Sequence, residues 1–335
     1  MTFKTFSVIG GGAWGTALAQ TLAQSLAQNG REVLLWAREP EVVADINERH
    51  MNAAFLPGVP LDPRIKATGD LEAAASSDVL LMVVPAQHLR AIGAQLAPHL
   101  RRGQPLVICA KGIEQKTGKL MGQVVAEALP DVLLAVLSGP SFAADVARGL
   151  PTALTLACAD ERVGRALAEQ LSWRQMRLYW TSDVVGVELG GAVKNVLAIA
   201  AGIVAGRGLG ASAHAALVTR GFAELRRFAE AFGARAETLS GLSGLGDLIL
   251  TCGSPQSRNM SLGRALAEGR TLADILASRT AVTEGVYTAA AVVRLARERG
   301  IEMPIAEAVH AIVEGRHSVD EAITALMQRP LKAED

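Results

Sequence analysis

The sequence is poor in the features that mark disulfide-stabilised, metal-binding and nucleic-acid-binding proteins. Its 335 residues include three cysteines that lie far apart and lack metal-ligand spacing, which favours free thiols in a reducing compartment. The six histidines form no HxH or HxxxH pair, so we expect no metal site. The 33 basic and 33 acidic residues cancel, so the net charge offers no attraction to nucleic acid or to an anionic membrane.

The chain also lacks a recognisable targeting segment. The N-terminal MTFKTFSVIGGG leads directly into an apolar strand and does not resemble a signal peptide. Residues 187–206, VELGGAVKNVLAIAAGIVAG, are long and apolar enough to resemble a membrane span, but Glu188 and Lys194 lie inside the segment. We therefore expect a cytoplasmic protein with no membrane span.

Lys194 is unusual because almost all of its neighbours in this segment are Ala, Val, Leu, Ile or Gly. Burying an ammonium group costs free energy unless the group has partners. Two interpretations are open: the side chain lies along the helix with its charged end in water, or the lysine is buried for a chemical purpose.

The first half of the chain alternates short apolar runs with helical segments. The runs are continuously apolar, as is typical of parallel strands that are buried on both faces. This βαβ rhythm predicts a doubly wound α/β sheet. Strands are expected at residues 6–9, 32–38, 78–84, 106–110 and 132–138, and residues 151–158 and 176–180 are expected to extend the sheet.

A glycine-rich turn follows the first predicted strand. Residues 10–15, GGGAWG, match the GxGxxG pattern through Gly10, Gly12 and Gly15, and the position after a strand and before a helix indicates a Rossmann-type dinucleotide site. Gly10 allows a tight turn, Gly12 lets the backbone approach a pyrophosphate, and Gly15 lets helix and strand pack closely. The helix N-terminus offers free N–H groups to the phosphates.

The rhythm changes near residues 181–182, after which strand patterns stop and Ala-rich helical segments continue to the end. Because 335 residues are too many for one ordinary core, two domains are expected. We predict a Rossmann-type dinucleotide-binding domain over residues 1–182 and an all-α substrate-binding domain over residues 183–335. In the first domain, helices are predicted over residues 13–28, ended by Asn29-Gly30, and over residues 119–128.

The end of the second predicted strand bears on the choice of cofactor. An acidic residue there binds the ribose 2′-hydroxyl of NAD, whereas an arginine accepts the 2′-phosphate of NADP. The sequence LWARE over residues 35–39 places Ala37 or Arg38 at this position. NADP(H) is therefore favoured, while Glu39, one residue later, leaves NAD(H) open.

The segment 241–259, GLSGLGDLILTCGSPQSRN, suggests a site for an anionic substrate. Ser257 is predicted to cap a helix over residues 258–268, which puts Arg258 and Asn259 in its first turn. A guanidinium beside free N–H groups suits a phosphate monoester, although Arg258 has an ion pair with a nearby carboxylate as its alternative. Asp247 either caps a turn or orients a substrate hydroxyl or Lys194.

Several of these segments, taken in order, carry a resemblance to a known family. The matching segments are GGGAWG at 10–15, NAAFLPG at 52–58, KGIE at 111–114, LSGPSFA at 137–143, GGAVKN at 190–195, GLGD at 244–247, SRN at 257–259 and VTEG at 282–285. Over about residues 5–325 the chain resembles the bacterial NAD(P)-dependent glycerol-3-phosphate dehydrogenases. Departures are Asp145 where a Glu is usual, Ser212 where an Asn is usual, and a first helix about four residues longer.

The resemblance implies reversible hydride transfer between NAD(P)H and dihydroxyacetone phosphate, which gives sn-glycerol 3-phosphate for phospholipid synthesis. It implies Lys194 as the proton donor and acceptor, with Lys111 and Asp247 as further catalytic residues. The implied substrate-binding residues are Lys111, Gly139, Ser141, Asn195, Thr251, Ser257, Arg258 and Asn259. The implied cofactor-binding residues are Gly10, Gly12, Ala13, Trp14, Gly15, Arg38, Lys111, Ala143, Arg258, Val282 and Glu284. A homodimer is expected for this class.

This chemistry would explain the buried lysine. Hydride delivered to the C2 carbonyl leaves an alkoxide that needs a proton, and a lysine desolvated by apolar neighbours has a lowered pKa suited to supplying it. Asn195 is expected to hold a substrate oxygen, and Asp247 to orient the ammonium. The alternatives are a β-hydroxyacid or 6-phosphogluconate type of dehydrogenase, a catalytically silent NADP sensor, and a helical interaction domain beside a vestigial nucleotide fold.

Overall fold

The computed structural model describes residues 1–26, 32–279 and 282–330. Within these ranges eight strands form one sheet in the order β3-β2-β1-β4-β5-β6-β7-β8. The strands are β1 Phe6–Ile9, β2 Val33–Trp36, β3 Ile65–Thr68, β4 Val79–Met82, β5 Pro105–Ile108, β6 Leu133–Ser138, β7 Thr152–Cys158 and β8 Met176–Thr181. All neighbours are parallel except β6 and β7, which are antiparallel. The predicted doubly wound sheet is confirmed.

The parallel strands are buried on both faces, as their continuously apolar sequences predict. Alternate side chains of a strand point to opposite faces. Accordingly, Val8 of β1 and Leu81 of β4 belong to one apolar core, while Ile9 and Met82, the next residue of each strand, belong to another. Each face of the sheet is therefore covered by its own core.

Strand β3 was missed by the sequence analysis, which predicted no strand over these residues. It lies at the edge of the sheet beside β2, and its Lys66 is exposed between the buried Ile65 and Ala67. An edge strand that alternates buried and exposed residues lacks the continuous apolar run by which the other strands were recognised.

Seven helices are associated with the sheet in the described ranges. They are α1 Ala13–Leu26, α2 Pro40–Arg49, α3 Leu71–Ala75, α4 Leu89–Leu96, α5 Met121–Ala128, α6 Ala143–Ala147 and α7 Glu161–Leu171, with single 3-10 turns at Ala86–His88 and Ala97–His99. The last two positions of the predicted helix over residues 13–28, and its stop at Asn29-Gly30, lie outside the described residues. The predicted helix over residues 119–128 begins two residues later, because Leu120 has an extended backbone.

The remainder of the described chain is helical. The helices are α8 Val184–Gly206, α9 Gly210–Glu230, α10 Ala236–Leu239, α11 Asp247–Gly253, α12 Arg258–Ala267, α13 Leu272–Ala277, α14 Glu284–Glu298, α15 Pro304–Val313 and α16 Val319–Met327, with a turn of π-helix at Leu242–Gly246. Helix α8 lies at the centre, in contact with α9, α11, α12, α14 and α15. This all-α arrangement is the one predicted for the second half.

Helix α8 contains the apolar segment that resembles a membrane span. Among the described residues it is the helix with the length and composition to cross a membrane, but 83% of its most apolar 18-residue window is buried inside the protein. Every residue from 186 to 204 is buried. A helix that is apolar on all sides and enclosed by other helices is a core helix.

Candidate active site

Lys194 and Asp247 form the centre of the site. The ammonium of Lys194 on α8 donates to Oδ1 of Asp247 at 2.5 Å and to Oγ1 of Thr251 at 2.8 Å. Asp247 and Thr251 lie one turn apart on α11, so both face α8. Lys194 is 5% exposed and Asp247 1%. The charged end of Lys194 is thus held by protein partners and does not extend into water.

A second lysine shares the same carboxylate. Nζ of Lys111 donates to Oδ2 of Asp247 at 2.8 Å and to the carbonyl oxygen of Gly139 at 2.9 Å. Lys111 follows β5 and Gly139 follows β6, at the carboxyl ends of neighbouring strands, where open α/β sheets bind their ligands. The sheet and the helical half of the chain therefore contribute to one charged cluster.

This environment changes the proton affinity of Lys194. Burial lowers the pKa of Lys194 from 10.5 to about 8; the carboxylate of Asp247 acts to raise this pKa and the charge of Lys111 to lower it. A group with a pKa near 8 is present in both protonation states at neutral to mildly alkaline pH. It can therefore donate and accept a proton under these conditions.

A chain of amide groups joins the elements around the cluster. Nδ2 of Asn195 donates to the carbonyl oxygen of Lys111 at 3.0 Å, and its Oδ1 accepts from Nδ2 of Asn259 at 2.9 Å. Oδ1 of Asn259 accepts from the backbone N–H of Gly285 at 3.0 Å. The side chain of Asn195 is therefore engaged within the protein, and its contact with a substrate oxygen stays a prediction.

The start of α12 has the predicted cap. Oγ of Ser257 accepts from the backbone N–H of Met260, and Arg258 is the first helical residue. Among the described residues no carboxylate lies within ion-pair distance of the Arg258 guanidinium, so the ion pair considered as an alternative is not formed there. Nη1 of Arg279 donates to the backbone carbonyl of Arg258 at 2.7 Å and holds this turn in place.

The glycine turn after β1 has the geometry of a phosphate cradle. Gly10 has a φ of 130°, and a Cβ on Gly15 would lie 1.9 Å from the carbonyl oxygen of Gly10, so neither position tolerates a side chain. A Cβ on Gly12 would meet no atom within 4 Å. The backbone at Gly12 therefore borders open space at the N-terminus of α1, where a pyrophosphate would bind.

Two buried polar atoms of predicted cofactor-binding residues have no hydrogen-bond partner in the described residues. They are Nε1 of Trp14, at the start of α1, and Oε2 of Glu284, at the start of α14. Oε1 of Glu284 accepts from the backbone N–H of Ala86, which follows β4, at 2.9 Å. Buried polar groups are normally paired, so these two atoms fit the presence of a ligand, and the residues around the cradle fit a dinucleotide.

Arg38 lies away from the lysine cluster, beyond the end of β2. Its side chain is 74% exposed, and its Nε and Nη2 donate to Oε1 of Glu39 at 3.0 and 2.7 Å. The two residues that point to different cofactors are therefore paired with each other. No group of three or more His, Cys, Asp or Glu side chains in the described ranges is placed to hold a metal ion.

Two family models match most of the chain. The N-terminal model of NAD-dependent glycerol-3-phosphate dehydrogenase matches residues 5–164, and the C-terminal model matches residues 183–324. The chain belongs to the NAD-dependent glycerol-3-phosphate dehydrogenase family. The resemblance found in the sequence is confirmed, and the dehydrogenase of the β-hydroxyacid or 6-phosphogluconate type is not the family of this chain.

Curated members of the glycerol-3-phosphate dehydrogenase family align with this chain from end to end. A glycerol-3-phosphate dehydrogenase [NAD(P)+] of Parvibaculum lavamentivorans is 60% identical over 100% of this chain and 99% of its own length. One of Caulobacter vibrioides is 59% identical over the whole of both chains. The crystal structure of a glycerol-3-phosphate dehydrogenase from Coxiella burnetii superimposes with a TM-score of 0.91 at 38% identity, covering 98% of this chain and 99% of that one.

The structure also locates the remaining positions implied by the glycerol-3-phosphate dehydrogenase resemblance. Oγ of Ser141 donates to the carbonyl of Gly139 at 3.1 Å. Ala13 begins α1, Ala143 begins α6, and Val282 precedes α14 by two residues. Of the two substituted positions among the three departures, Asp145 lies in the first turn of α6, and Ser212 is exposed near the start of α9.

Sequence reasoning missed the residues that hold the loop of Lys111. Glu114, three residues further on, accepts from Nε and Nη2 of Arg90 at 2.8 and 2.9 Å. Nε2 of Gln87 donates to the carbonyl of Ile113 at 2.9 Å. The KGIE motif contained Glu114, but nothing in the sequence indicated a partner on α4.

Proposed function

We propose that the protein catalyses the reversible NAD(P)H-dependent reduction of dihydroxyacetone phosphate to sn-glycerol 3-phosphate. The observation that carries this proposal is the binding of both Lys194 and Lys111 to Asp247, with Lys111 at the carboxyl end of β5, in a chain of this family. The same arrangement favours an enzyme over a silent NADP sensor, because a sensor has no need of a proton donor whose pKa is about 8.

Lys194 acts as the general acid in the direction of reduction and as the general base in the reverse direction. When bound, NAD(P)H supplies the hydride that reduces the C2 carbonyl. Lys194 donates its proton to the C2 oxygen, and Asp247 keeps the ammonium oriented. The two lysines and one carboxylate carry a net charge of +1, which stabilises the negative charge that develops on this oxygen. Thr251 supports this pair, because its hydroxyl oxygen accepts from Lys194 and its hydroxyl hydrogen is donated to Oδ1 of Asp247 at 3.2 Å.

The phosphate of the substrate is proposed to bind at the start of α12. Arg258 is the first residue of that helix, and its guanidinium forms no ion pair in the described chain, although the charge of Glu284 acts on it. A helix N-terminus and a guanidinium both favour a phosphate oxygen. Ser257, Asn259, Ser141 and Gly139 are proposed to line this end of the substrate site, with Asn195 as a supporting residue.

The dinucleotide is proposed to bind along the glycine turn from Gly10 to Gly15. Its adenosine end would reach Arg38, which favours NADP(H), with NAD(H) as the second cofactor. Its nicotinamide end would lie near Lys111 and Glu284, whose free Oε2 can accept from a carboxamide. Ala13, Trp14, Ala143, Arg258 and Val282 are the other proposed contacts.

The domain roles, the oligomeric state and the cellular location are further parts of the proposal. We propose that residues 1–182 bind the dinucleotide and residues 183–335 bind the substrate, and that the protein is a cytoplasmic homodimer that supplies sn-glycerol 3-phosphate for phospholipid synthesis. Sedimentation equilibrium of the purified protein tests the dimer, and a mass of one chain at micromolar concentration contradicts it.

The activity is tested by following cofactor oxidation at 340 nm with dihydroxyacetone phosphate and either NADPH or NADH. Turnover with dihydroxyacetone phosphate is expected. In the opposite direction, no reduction of NADP+ or NAD+ is expected with 3-hydroxyacids or 6-phosphogluconate as substrates. Binding of NADPH without any turnover would contradict the enzyme hypothesis and favour the NADP sensor. Absence of both binding and turnover would favour the helical interaction domain beside a vestigial nucleotide fold.

A further inference from the structure

Asn52 lies behind the glycine turn, on the side away from the open space. It belongs to the NAAFLPG segment between α2 and β3, and its exposed fraction is 0%. Its Nδ2 donates to the backbone carbonyl of Gly11 at 2.9 Å and to Oγ1 of Thr16 at 2.8 Å. Its Oδ1 accepts from the backbone N–H of Phe55 at 3.2 Å. Both donor hydrogens of this buried amide are therefore directed at the phosphate cradle and the first turn of α1.

Thr16 connects Asn52 to the next carbonyl of the turn. The hydroxyl of Thr16 accepts from Asn52 and donates to the carbonyl oxygen of Gly12 at 2.9 Å. Thr16 is as fully buried as Asn52. The carbonyl oxygens of Gly11 and Gly12 are consequently held by one hydrogen-bonded network that starts from a residue 36 positions further along the chain.

This network determines which way the Gly11–Gly12 peptide faces. In a planar trans peptide the C=O and the following N–H point in opposite directions. Asn52 holds the carbonyl of Gly11 toward the protein interior, so the N–H of Gly12 points outward. Gly11 is buried and Gly12 is partly exposed, and the space beside Gly12 is open. A peptide between two glycines would otherwise rotate with little steric resistance.

We propose that Asn52 is a positioning residue for the cofactor: it holds the Gly11–Gly12 peptide so that the N–H of Gly12 faces the pyrophosphate. The inference rests on the proposed binding of a dinucleotide at the glycine turn. Asn52 makes no contact with the lysine cluster, so its contribution is confined to the affinity for the cofactor.

A second asparagine nearby provides a matched control. Asn47 on α2 holds β3 through two hydrogen bonds with the backbone of Ala67, both at 2.9 Å. It stabilises the same part of the sheet but has no contact with the glycine turn. A general loss of structure in this region would be common to Asn47→Ala and Asn52→Ala, whereas a change in cofactor affinity would be specific to Asn52.

The test is a fluorescence titration with NADPH on the full-length wild type, Asn52→Ala, Asn52→Asp, Thr16→Val and Asn47→Ala, with thermal unfolding measured on each. Asn52→Ala is expected to raise the Kd and the KM for NADPH roughly tenfold, as for the loss of a buried hydrogen bond. Its kcat and its KM for dihydroxyacetone phosphate are expected to stay within about twofold of wild type. Asn52→Asp, which keeps the shape but cannot donate, is expected to raise the Kd at least as much.

The outcomes separate the inference from the proposed function. An unchanged Kd in both Asn52 variants overturns the inference while wild type still binds NADPH. An equal rise in Kd for Asn47→Ala also overturns it, because the effect would then follow from general destabilisation. In Thr16→Val the hydrogen bond from Asn52 to the carbonyl of Gly11 is retained, so the Kd for NADPH should rise less than in Asn52→Asp. If Asn52→Ala does not fold, this comparison tests the inference. A wild type that binds neither NADPH nor NADH overturns the proposed function as well.

Discussion

The ammonium of Lys194 and the carboxylate of Asp247 lie 2.5 Å apart, although the two residues are 53 positions apart in the sequence. The second oxygen of the same carboxylate binds Lys111. Replacing any one of these three groups therefore changes the electrostatic environment of the other two.

Replacing Lys194 by methionine should abolish most of the activity without loss of cofactor binding. Methionine keeps an unbranched apolar side chain in α8 but has no proton to give, and loss of general acid–base catalysis typically costs about a hundredfold or more in rate. The measurement is kcat at 340 nm beside the Kd for NADPH. Lys66→Met, at an exposed lysine of β3, serves as the control. Full activity in Lys194→Met would leave Lys194 without a catalytic role.

The pH dependence of reduction should respond in opposite directions to changes at the two partners of Lys194. Because Lys194 must be protonated to act as the acid, the wild-type rate should fall as the pH rises through about 8. Asp247→Asn removes an interaction that raises the pKa of Lys194, so the fall should move to lower pH. Lys111→Met removes a charge that lowers this pKa, so the fall should move to higher pH.

These shifts are read from the pH profile of kcat, whatever each substitution does to the maximal rate. Shifts of the same sign in Asp247→Asn and Lys111→Met would mean that Lys194 is not the titrating acid.

The Arg38–Glu39 pair should set the preference between NADPH and NADH. An arginine that binds the 2′-phosphate must leave Glu39, so Arg38→Ala should lower the ratio of kcat/KM for NADPH to that for NADH by roughly tenfold or more. Glu39→Gln removes the competing carboxylate and should raise the same ratio. Arg49→Ala, at an exposed arginine of α2, is the control. An unchanged ratio in both test variants would mean that the 2′-phosphate of NADPH does not bind at Arg38.

A buried carboxylate should make stability fall as the pH rises from about 5 to 7. Glu224 of α9 accepts from the backbone N–H groups of Ile305 and Ala306 in the first turn of α15, at 2.8 and 3.2 Å. Burial nevertheless raises the pKa of Glu224 from 4.5 to about 7. The folded protein then holds the proton more tightly than the unfolded chain. The resulting stabilisation is complete below pH 4.5 and is lost as the pH rises through 7, by up to about 3 kcal/mol.

The measurement is the free energy of unfolding in urea at pH 5 and at pH 8. Glu224→Gln cannot titrate and should reduce the difference between these two values, whereas Glu230→Gln, at an exposed position of α9, should not. Part of the difference in the free energy of unfolding between pH 5 and pH 8 should remain in both variants, because burial raises the pKa of Glu188 on α8 to about 7 as well. If the free energy of unfolding changed equally between pH 5 and pH 8 in Glu224→Gln and in wild type, Glu224 would not be a source of the pH dependence.

Most of the fold could be predicted from the sequence because buried parallel strands and a glycine turn have strong local patterns. Seven of the eight strands in the described residues were located within a few positions. The pattern failed at β3, where the exposed Lys66 interrupts the apolar run. The antiparallel pairing of β6 and β7 was also out of reach, since a buried strand has the same apolar composition in either direction.

The site could be predicted only as separate pieces. The motifs located Lys111, Lys194 and Asp247, and the cap by Ser257 was correct. Lys111 and Asp247 are in contact although they are 136 positions apart in the sequence. No pattern in one sequence indicates such a long-range contact. Asn52 lay in a motif that the family shares, but its hydrogen bonds to the glycine turn depend on how the segment after α2 folds back over α1.

The enclosed position of α8 also affects how readily its backbone amides exchange with solvent. Amide protons in an element that is buried along its length exchange with solvent only when the surrounding domain opens as a whole. Residues 190–195 should therefore be among the slowest in the chain to exchange in deuterated buffer. An opening large enough to expose these amides would also release Lys194 from Asp247, so loss of the proposed proton donor should coincide with exchange of the most protected amides.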